Sequence, residues 1–298
     1  MSLIASLTSG VSALKTFSSA MSTIGDNIAN SNTTGFKASK ARTEDSFSQT
    51  LRASTDRNST IQVGSGVSIA TIRQNFTQGS LTTTGVPTDF GLAGGGFFRV
   101  VAAPTDPTAA SDPAAEKFYT RDGNFRADAN RFLVNPQGHR VQGVLTSAAS
   151  VVPIAATAVD VKLGATKPAT TNINANLQSF SVGADGKITE FYSDGTSNEG
   201  DAAQQSLILW TFKDNTSLER ATGNLYKTPK STLFVQENGL QADTGGAGQV
   251  KQGTLELSNV DLAQEFSDLI LAQRSFQAGS RIISVSDSVL EEVVNLKR

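Results

Sequence analysis

The residue types able to do covalent or metal chemistry are sparse in this chain and nowhere grouped. Its single histidine, His139, sits in Asn135-Pro136-Gln137-Gly138-His139-Arg140, a hairpin-turn composition that predicts a solvated loop imidazole and not a general base. There is no cysteine, so neither a thiolate metal site nor a disulfide framework is available. Gly94-Gly95-Gly96 invites comparison with a phosphate-binding loop, but Phe97-Phe98-Arg99-Val100-Val101 follows as a strand where a helix would be needed. The glycines read instead as a tight turn beside a strand. Asp122-Gly123-Asn124 and Asp185-Gly186-Lys187 are turn signatures without the downstream glutamate of a calcium loop. With no G-x-S-x-G elbow and no P-loop, the sequence predicts no catalytic residue, no metal and no cofactor.

The strongest pattern lies at the two ends. Leu7, Leu14, Met21 and Ile28 fall seven apart, and Leu3, Phe17 and Ile24 occupy the fourth place of the same heptads. Gly10 is the weak layer of this seam. Near the other terminus, Leu262, Leu269, Phe276, Ile283 and Leu290 also recur every seven residues. Ala272, Gly279 and Ser286 follow three of these by three positions, giving a small-residue flank on which another backbone can approach. Ser258 with Asp261 resembles a capping box, and Lys297 with Arg298 suits the negative end of a helix dipole. These features predict two long amphipathic helices that pair with each other or with other subunits, since terminal segments order only when tied down.

A chain of 298 residues accommodates two domains. With 25 Lys and Arg against 27 Asp and Glu, it offers no broad basic footprint for nucleic acid or an anionic membrane. The first basic residue is Lys15, and Ser, Thr or Gly interrupts every apolar run. Neither a cleaved signal peptide nor a membrane span is therefore expected, and passage out of the cytoplasm would need another route.

The expected class is α+β: long N- and C-terminal amphipathic helices pairing in a coiled-coil-like inner layer, with a central, mostly antiparallel β domain. Residues 1–30 and 258–298 are read as helical assembly segments, and 31–75 with 240–257 as a linking region whose stretch 46–66 is polar and aperiodic. Residues 76–145 and 178–239 form the β domain, in which Trp210 is expected to be core. Residues 102–115 are predicted to be an exposed loop, 146–177 a low-complexity excursion, and 241–253 flexible.

Asn27-Ile28-Ala29-Asn30-Ser31-Asn32-Thr33-Thr34-Gly35-Phe36-Lys37 resembles the N-terminal signature of bacterial flagellar rod and hook proteins. Gln78-Gly79-Ser80-Leu81, Thr84-Gly85-Val86-Pro87-Thr88-Asp89, Gly94-Gly95-Gly96-Phe97-Phe98 and Tyr119-Thr120-Arg121-Asp122-Gly123-Asn124-Phe125 follow the family's central pattern in order. Ser258-Asn259-Val260-Asp261-Leu262 and Ala272-Gln273-Arg274-Ser275-Phe276-Gln277 look most like the hook member. Many hook proteins insert a further outer domain after the family block that here runs from Phe132-Leu133-Val134-Asn135 through Gly138 to Gln142-Gly143, and its absence favours the distal rod; the hook is taken as the first reading and the rod as the alternative.

The resemblance implies a structural subunit, exported by the flagellar type III apparatus without a cleaved signal, that stacks into a helical tube of its own copies. It also implies contacts with adjacent rod proteins, hook-filament junction proteins and a hook cap. On this reading the two apolar seams are the assembly interface, and Asn27, Asn30, Thr34, Gly35 and Phe36 carry the family motif. A secreted adhesin or an exported enzyme is the competing class; nothing in residues 146–240 marks a cleft with paired carboxylates.

Overall fold

A computed structural model of the full chain describes residues 2–46, 48–52, 61–104, 106, 115–145, 158–164, 175–199, 204–229 and 237–296. Most of the expected exposed loop at 102–115, the stretches 146–157 and 165–174 of the expected excursion, and Lys297 with Arg298 lie outside these residues. The chain divides into two compact units. One comprises Met1–Ser31, Lys37–Asn75 and Val260–Arg298; the other comprises Asn32–Phe36 and Phe76–Asn259.

The first unit is built on two helices, α1 (Ser2–Ala29) and α2 (Leu262–Leu296). In α1 the hydroxyls of Ser19 and Thr23 turn back onto the carbonyls of Lys15 and Ser19, so these residues satisfy their polar groups without breaking the helix. The start of α2 differs from the expected capping box. Asp261 is itself the cap, its Oδ1 accepting from the N–H groups of Ala263 at 2.9 Å and Gln264 at 3.3 Å. A carboxylate reaches two orphan donors from that position, whereas Ser258 lies a full turn too early.

Strands Ser39–Asp45 and Val67–Gln74 pair antiparallel, with a bulge between Arg42 and Thr43. Inside them, Ser48–Arg52 pairs with Ile61–Gly64. The stretch 46–66 thus contributes paired strands where the sequence suggested an extended linker. These strands are short and their sequences, SQTLR and IQVG, are mostly polar, so no apolar alternation in the sequence reveals them.

The second unit is a largely antiparallel sheet. Its strands run in the order Glu219–Arg220, Leu225–Lys227, Lys117–Thr120, Phe97–Ala102, Gln205–Phe212, His139–Leu145, Leu133–Val134 and Arg126–Ala127. Successive side chains point to opposite faces, and both faces are covered. Phe98, Val100, Leu207 and Leu209 enter one core with Phe90, Leu92 and Phe125; Phe97, Ile208 and Trp210 enter another with Tyr119 and Tyr226. Trp210 is fully buried beneath the guanidinium of Arg99, which lies 3.9 Å from the ring centroid.

Two local expectations change. Within 241–253, Gln249–Gln252 is a strand paired with Phe90–Ala93, and Thr254–Glu256 follows paired with Leu81–Thr83. Gly248 there serves close packing: a Cβ on it would lie 2.5 Å from the carbonyl oxygen of Ala93. His139 is likewise no loop residue. It opens strand His139–Leu145, its ring edge-on to Phe118 at 5.2 Å, and burial holds its pKa below the usual histidine value.

Candidate functional site

The two helices run antiparallel, as Ser6 beside Ser286 (Oγ to Oγ 3.3 Å) and Asn27 beside Glu265 require. Their contact runs through small and polar residues. Gly10, Thr16 and Asn27 are the buried residues described on α1, and Ala272, Gly279 and Ser286 those on α2. A Cβ on Gly10 would lie 3.1 Å from Ile283 Cγ1 and 3.5 Å from the carbonyl oxygen of Gly279. The layer that looked weak in the apolar seam is where the two backbones come near each other.

The large seam residues take up the flanks. Leu7, Leu14, Phe17, Met21, Ile24 and Ile28 on α1, and Leu269, Phe276 and Ile283 on α2, are only partly buried, while Leu262 and Leu290 are exposed. Several large apolar residues of α2 are exposed: Phe266 is 50 % exposed, Leu271 63 %, Val285 62 % and Leu296 86 %.

Polar anchors missed by the periodicity fix the helix pair against its strands. Thr16 Oγ1 donates to the carbonyl of Val67, and Ser12 Oγ accepts from the Val67 N–H. Asn27 Nδ2 donates to the carbonyl of Ser39 at 2.8 Å and to Glu265 Oε1 at 3.0 Å, and its Oδ1 accepts from the Ser39 N–H at 2.9 Å. Burial raises the Glu265 pKa above the usual carboxylate value, with Asp268 adding to the shift and the Asn27 bond opposing it. Thr16 and Asn27 stand beside the seam and not on it, so the heptad gave no signal for them. Asn30 closes α1 by donating from Nδ2 to both the carbonyl and the carboxylate of Asp26, each at 2.9 Å.

The rest of the motif belongs to the β unit. Thr34 Oγ1 donates to Asp122 Oδ1 at 2.9 Å, and the Thr34 carbonyl accepts from Asn224 Nδ2 at 2.7 Å. Gly35 has φ +66°, and its N–H donates to the Glu256 carbonyl at 2.7 Å. Phe36 is buried with the Arg220 guanidinium 4.8 Å from its ring. Glu256 is in turn fixed by accepting from the Gly79 N–H at 2.8 Å and from Arg121, whose side chain is 3 % exposed. Desolvation lowers the Arg121 pKa despite this partner. The motif therefore works by hydrogen bonding and close packing. Among the described residues no cluster of His, Asp or Glu suited to a metal is present, and no helix is long and apolar enough to cross a membrane.

Three family models match. Flagella basal body rod protein covers residues 7–37, the D1 domain of flagellar hook protein FlgE/F/G covers 91–190, and the C-terminal model of flagellar basal body rod FlgEFG protein covers 251–296. Across its whole length the chain is 34 % identical to the flagellar basal-body rod protein FlgG of Bacillus subtilis, over 99 % of this chain and all of the relative. The chain belongs to the flagellar rod and hook axial protein family. Another relative in this family, FlgG of Borreliella burgdorferi, is 30 % identical over 93 % of the chain and 92 % of the relative. The flagellar hook protein FlgE of the same organism is 26 % identical over 99 % of this chain and all of the relative, but that alignment stretches over 453 positions. As a family member the chain is a structural component of the bacterial flagellum, and its motif residues are those that stitch strand, turn and helix ends together.

Proposed function

We propose that the chain is a rod subunit of the flagellar basal body, polymerising through its terminal helices into part of the drive shaft. One observation carries this over the hook reading: the alignment with the Bacillus subtilis rod protein spans 302 positions, nearly residue for residue, whereas the alignments with hook proteins need 453 and 474. The insertion that lengthens those relatives has no counterpart here. Strand Val159–Asp160 pairs directly with the preceding strand His139–Leu145, Gln142 opposite Asp160, which supports a short excursion in place of an outer domain. The hook reading rests on the C-terminal block around Ser258–Leu262.

Assembly follows from what the helices leave uncovered. Burying one large apolar side chain completely contributes roughly 1.5–3 kcal/mol, so covering Phe266, Leu271, Val285 and Leu296 from half exposure or more would contribute on the order of 5 kcal/mol. Association itself costs about 4–15 kcal/mol, so a single such contact leaves little surplus. Contacts with several neighbours, as in an open helical array, would make assembly clearly favourable. The seam residues Leu7, Leu14, Phe17, Met21, Ile24, Ile28, Leu262, Leu269, Phe276, Ile283 and Leu290 are the candidates for these contacts.

Electron microscopy of basal bodies from a strain lacking this gene tests the assignment. A rod truncated before its distal end is the expected result; a complete rod without a hook would transfer the chain to the hook. Removing residues 1–30 or 258–298 should leave the β unit folded and abolish polymers.

A further inference from the structure

Four times the chain passes between its two units: from Ser31 to Asn32, Phe36 to Lys37, Asn75 to Phe76, and Asn259 to Val260. Any force carried along the covalent chain from one unit to the other passes through these four points. Inside the β unit, residues at or beside these points are hydrogen-bonded to one another, and Asn259 makes three of the bonds. Its backbone N–H donates to the Phe36 carbonyl at 3.4 Å. Its side-chain Nδ2 donates to the Thr77 carbonyl and to Thr77 Oγ1, both at 3.0 Å. The Phe36 N–H donates to the Thr33 carbonyl at 3.3 Å, closing the short turn that joins the first two passages. Parallel ties run beside it, from the Gly35 N–H to the Glu256 carbonyl at 2.7 Å and from the Leu257 N–H to the Ser80 carbonyl at 2.8 Å.

We infer that Asn259 is a positioning residue that fastens the four passages into one body, so that they yield together and not singly. Asparagine suits the task. Its short side chain carries two N–H donors on one nitrogen, and the residue adds a backbone donor directed at a different segment. Aspartate has the same shape but cannot donate, and a hydroxyl offers one donor only. The tie links segments more than 180 residues apart in sequence, and it acts beside the Gly35–Glu256 and Leu257–Ser80 bonds and the bond from the Asn75 N–H to the Ala38 carbonyl at 2.7 Å. The inference rests on the axial role of the family and is the same whether the subunit lies in rod or hook.

Hydrogen exchange of the full-length chain, followed by mass spectrometry, tests it with Asn259→Asp and Thr77→Val. Asn259→Asp keeps the backbone N–H that bonds Phe36 and removes the side-chain donation to Thr77. If Asn259 couples the passages, peptides covering 32–38, 76–80 and 257–262 should all exchange about tenfold faster, while strand Gln205–Phe212 stays as protected as in the parent chain. Thr77→Val removes one of the two acceptors and should accelerate the same three peptides by a smaller factor, which keeps the test decisive if the aspartate variant fails to fold. Acceleration confined to 257–262, or to 257–262 and 76–80 with 32–38 unchanged, would reduce Asn259 to a local bond and overturn the inference. So would an increase spread evenly over the whole β unit in both variants.

Discussion

Asn27 and Glu265, 238 residues apart, meet at 3.0 Å across the helix pair. The amide of Asn27 is almost wholly buried and also closes a two-bond ring with the backbone of Ser39, so one side chain joins α1, α2 and the first strand after the motif. Truncating it strands the Ser39 N–H and carbonyl along with the Glu265 carboxylate. Asn27→Ala should cost about 2–3 kcal/mol, read as a lowered helix melting midpoint by circular dichroism. Asn27→Asp would place a second carboxylate against one whose pKa burial has already raised. A raised native pKa favours folding at low pH and loses that contribution as pH rises through it, so this variant should be least stable at neutral pH and regain stability on acidification. A pH-independent defect would contradict this arrangement.

The small-residue contact of the helices makes an opposite pair of predictions at one position. A Cβ on Gly279 would lie 3.4 Å from Leu14 Cδ2 and 3.7 Å from Ala13 Cβ, both ordinary contacts. Gly279→Ala should therefore gain up to about 1 kcal/mol from helix propensity alone and raise the melting midpoint. Gly279→Phe has no room on this line of approach and should force the helices apart, lowering the midpoint and the yield of polymer. Equal effects of both substitutions would mean that the helices do not meet through this stripe.

The motif glycine separates conformational cost from steric cost. Gly35 has φ +66°, and a Cβ there would lie 2.6 Å from the backbone nitrogen of Asp122; Gly138 has φ +87° but nothing within 4 Å. Gly138→Ala should cost about 1–2 kcal/mol, the penalty for a left-handed alanine. Gly35→Ala carries the same penalty and must also displace backbone, so its loss in denaturant unfolding should exceed that of Gly138→Ala by at least about 1 kcal/mol. Similar losses would argue against a close seat for the motif on the Asp122 turn.

The sequence carried the helices because a heptad is a local regularity, and it carried Trp210 and the strands around it because alternation and apolar runs are local too. It also exposed the small flank of Ala272, Gly279 and Ser286, although the weight of the pattern fell on the large residues beside it. What periodicity could not convey was pairing at long range. The strands Ser48–Arg52 and Ile61–Gly64 are short and mostly polar and so carry no alternation, and Gly248 looks like a flexible glycine until Ala93 is placed next to it. Glu256, Asn224 and Asn259 read as ordinary polar residues in strands and turns. Their importance comes only from segments about 100 to 220 residues away that the fold brings to them.

His139 supplies a pH signature for the β unit, and it is the chain's one histidine. Packed against Phe118 and partly buried, it resists protonation in the folded state, whereas the unfolded chain retains a histidine pKa of about 6.5. As pH falls through that value the unfolded state takes up the proton first, so stability is lost between about 6.5 and the lower native pKa and then levels off. Asp122, whose pKa burial raises, has the opposite sign: its contribution is present at low pH and lost as pH rises. A comparison of the parent chain with His139→Phe cancels the Asp122 effect, because that carboxyl is common to both. Phenylalanine preserves an aromatic contact with Phe118, so the variant should match or exceed the parent in urea unfolding at pH 5 and differ least at pH 7.5. A difference between the two chains that stays constant from pH 5 to 7.5 would mean that the imidazole titrates alike in the folded and unfolded chain, contrary to its packing beside Phe118.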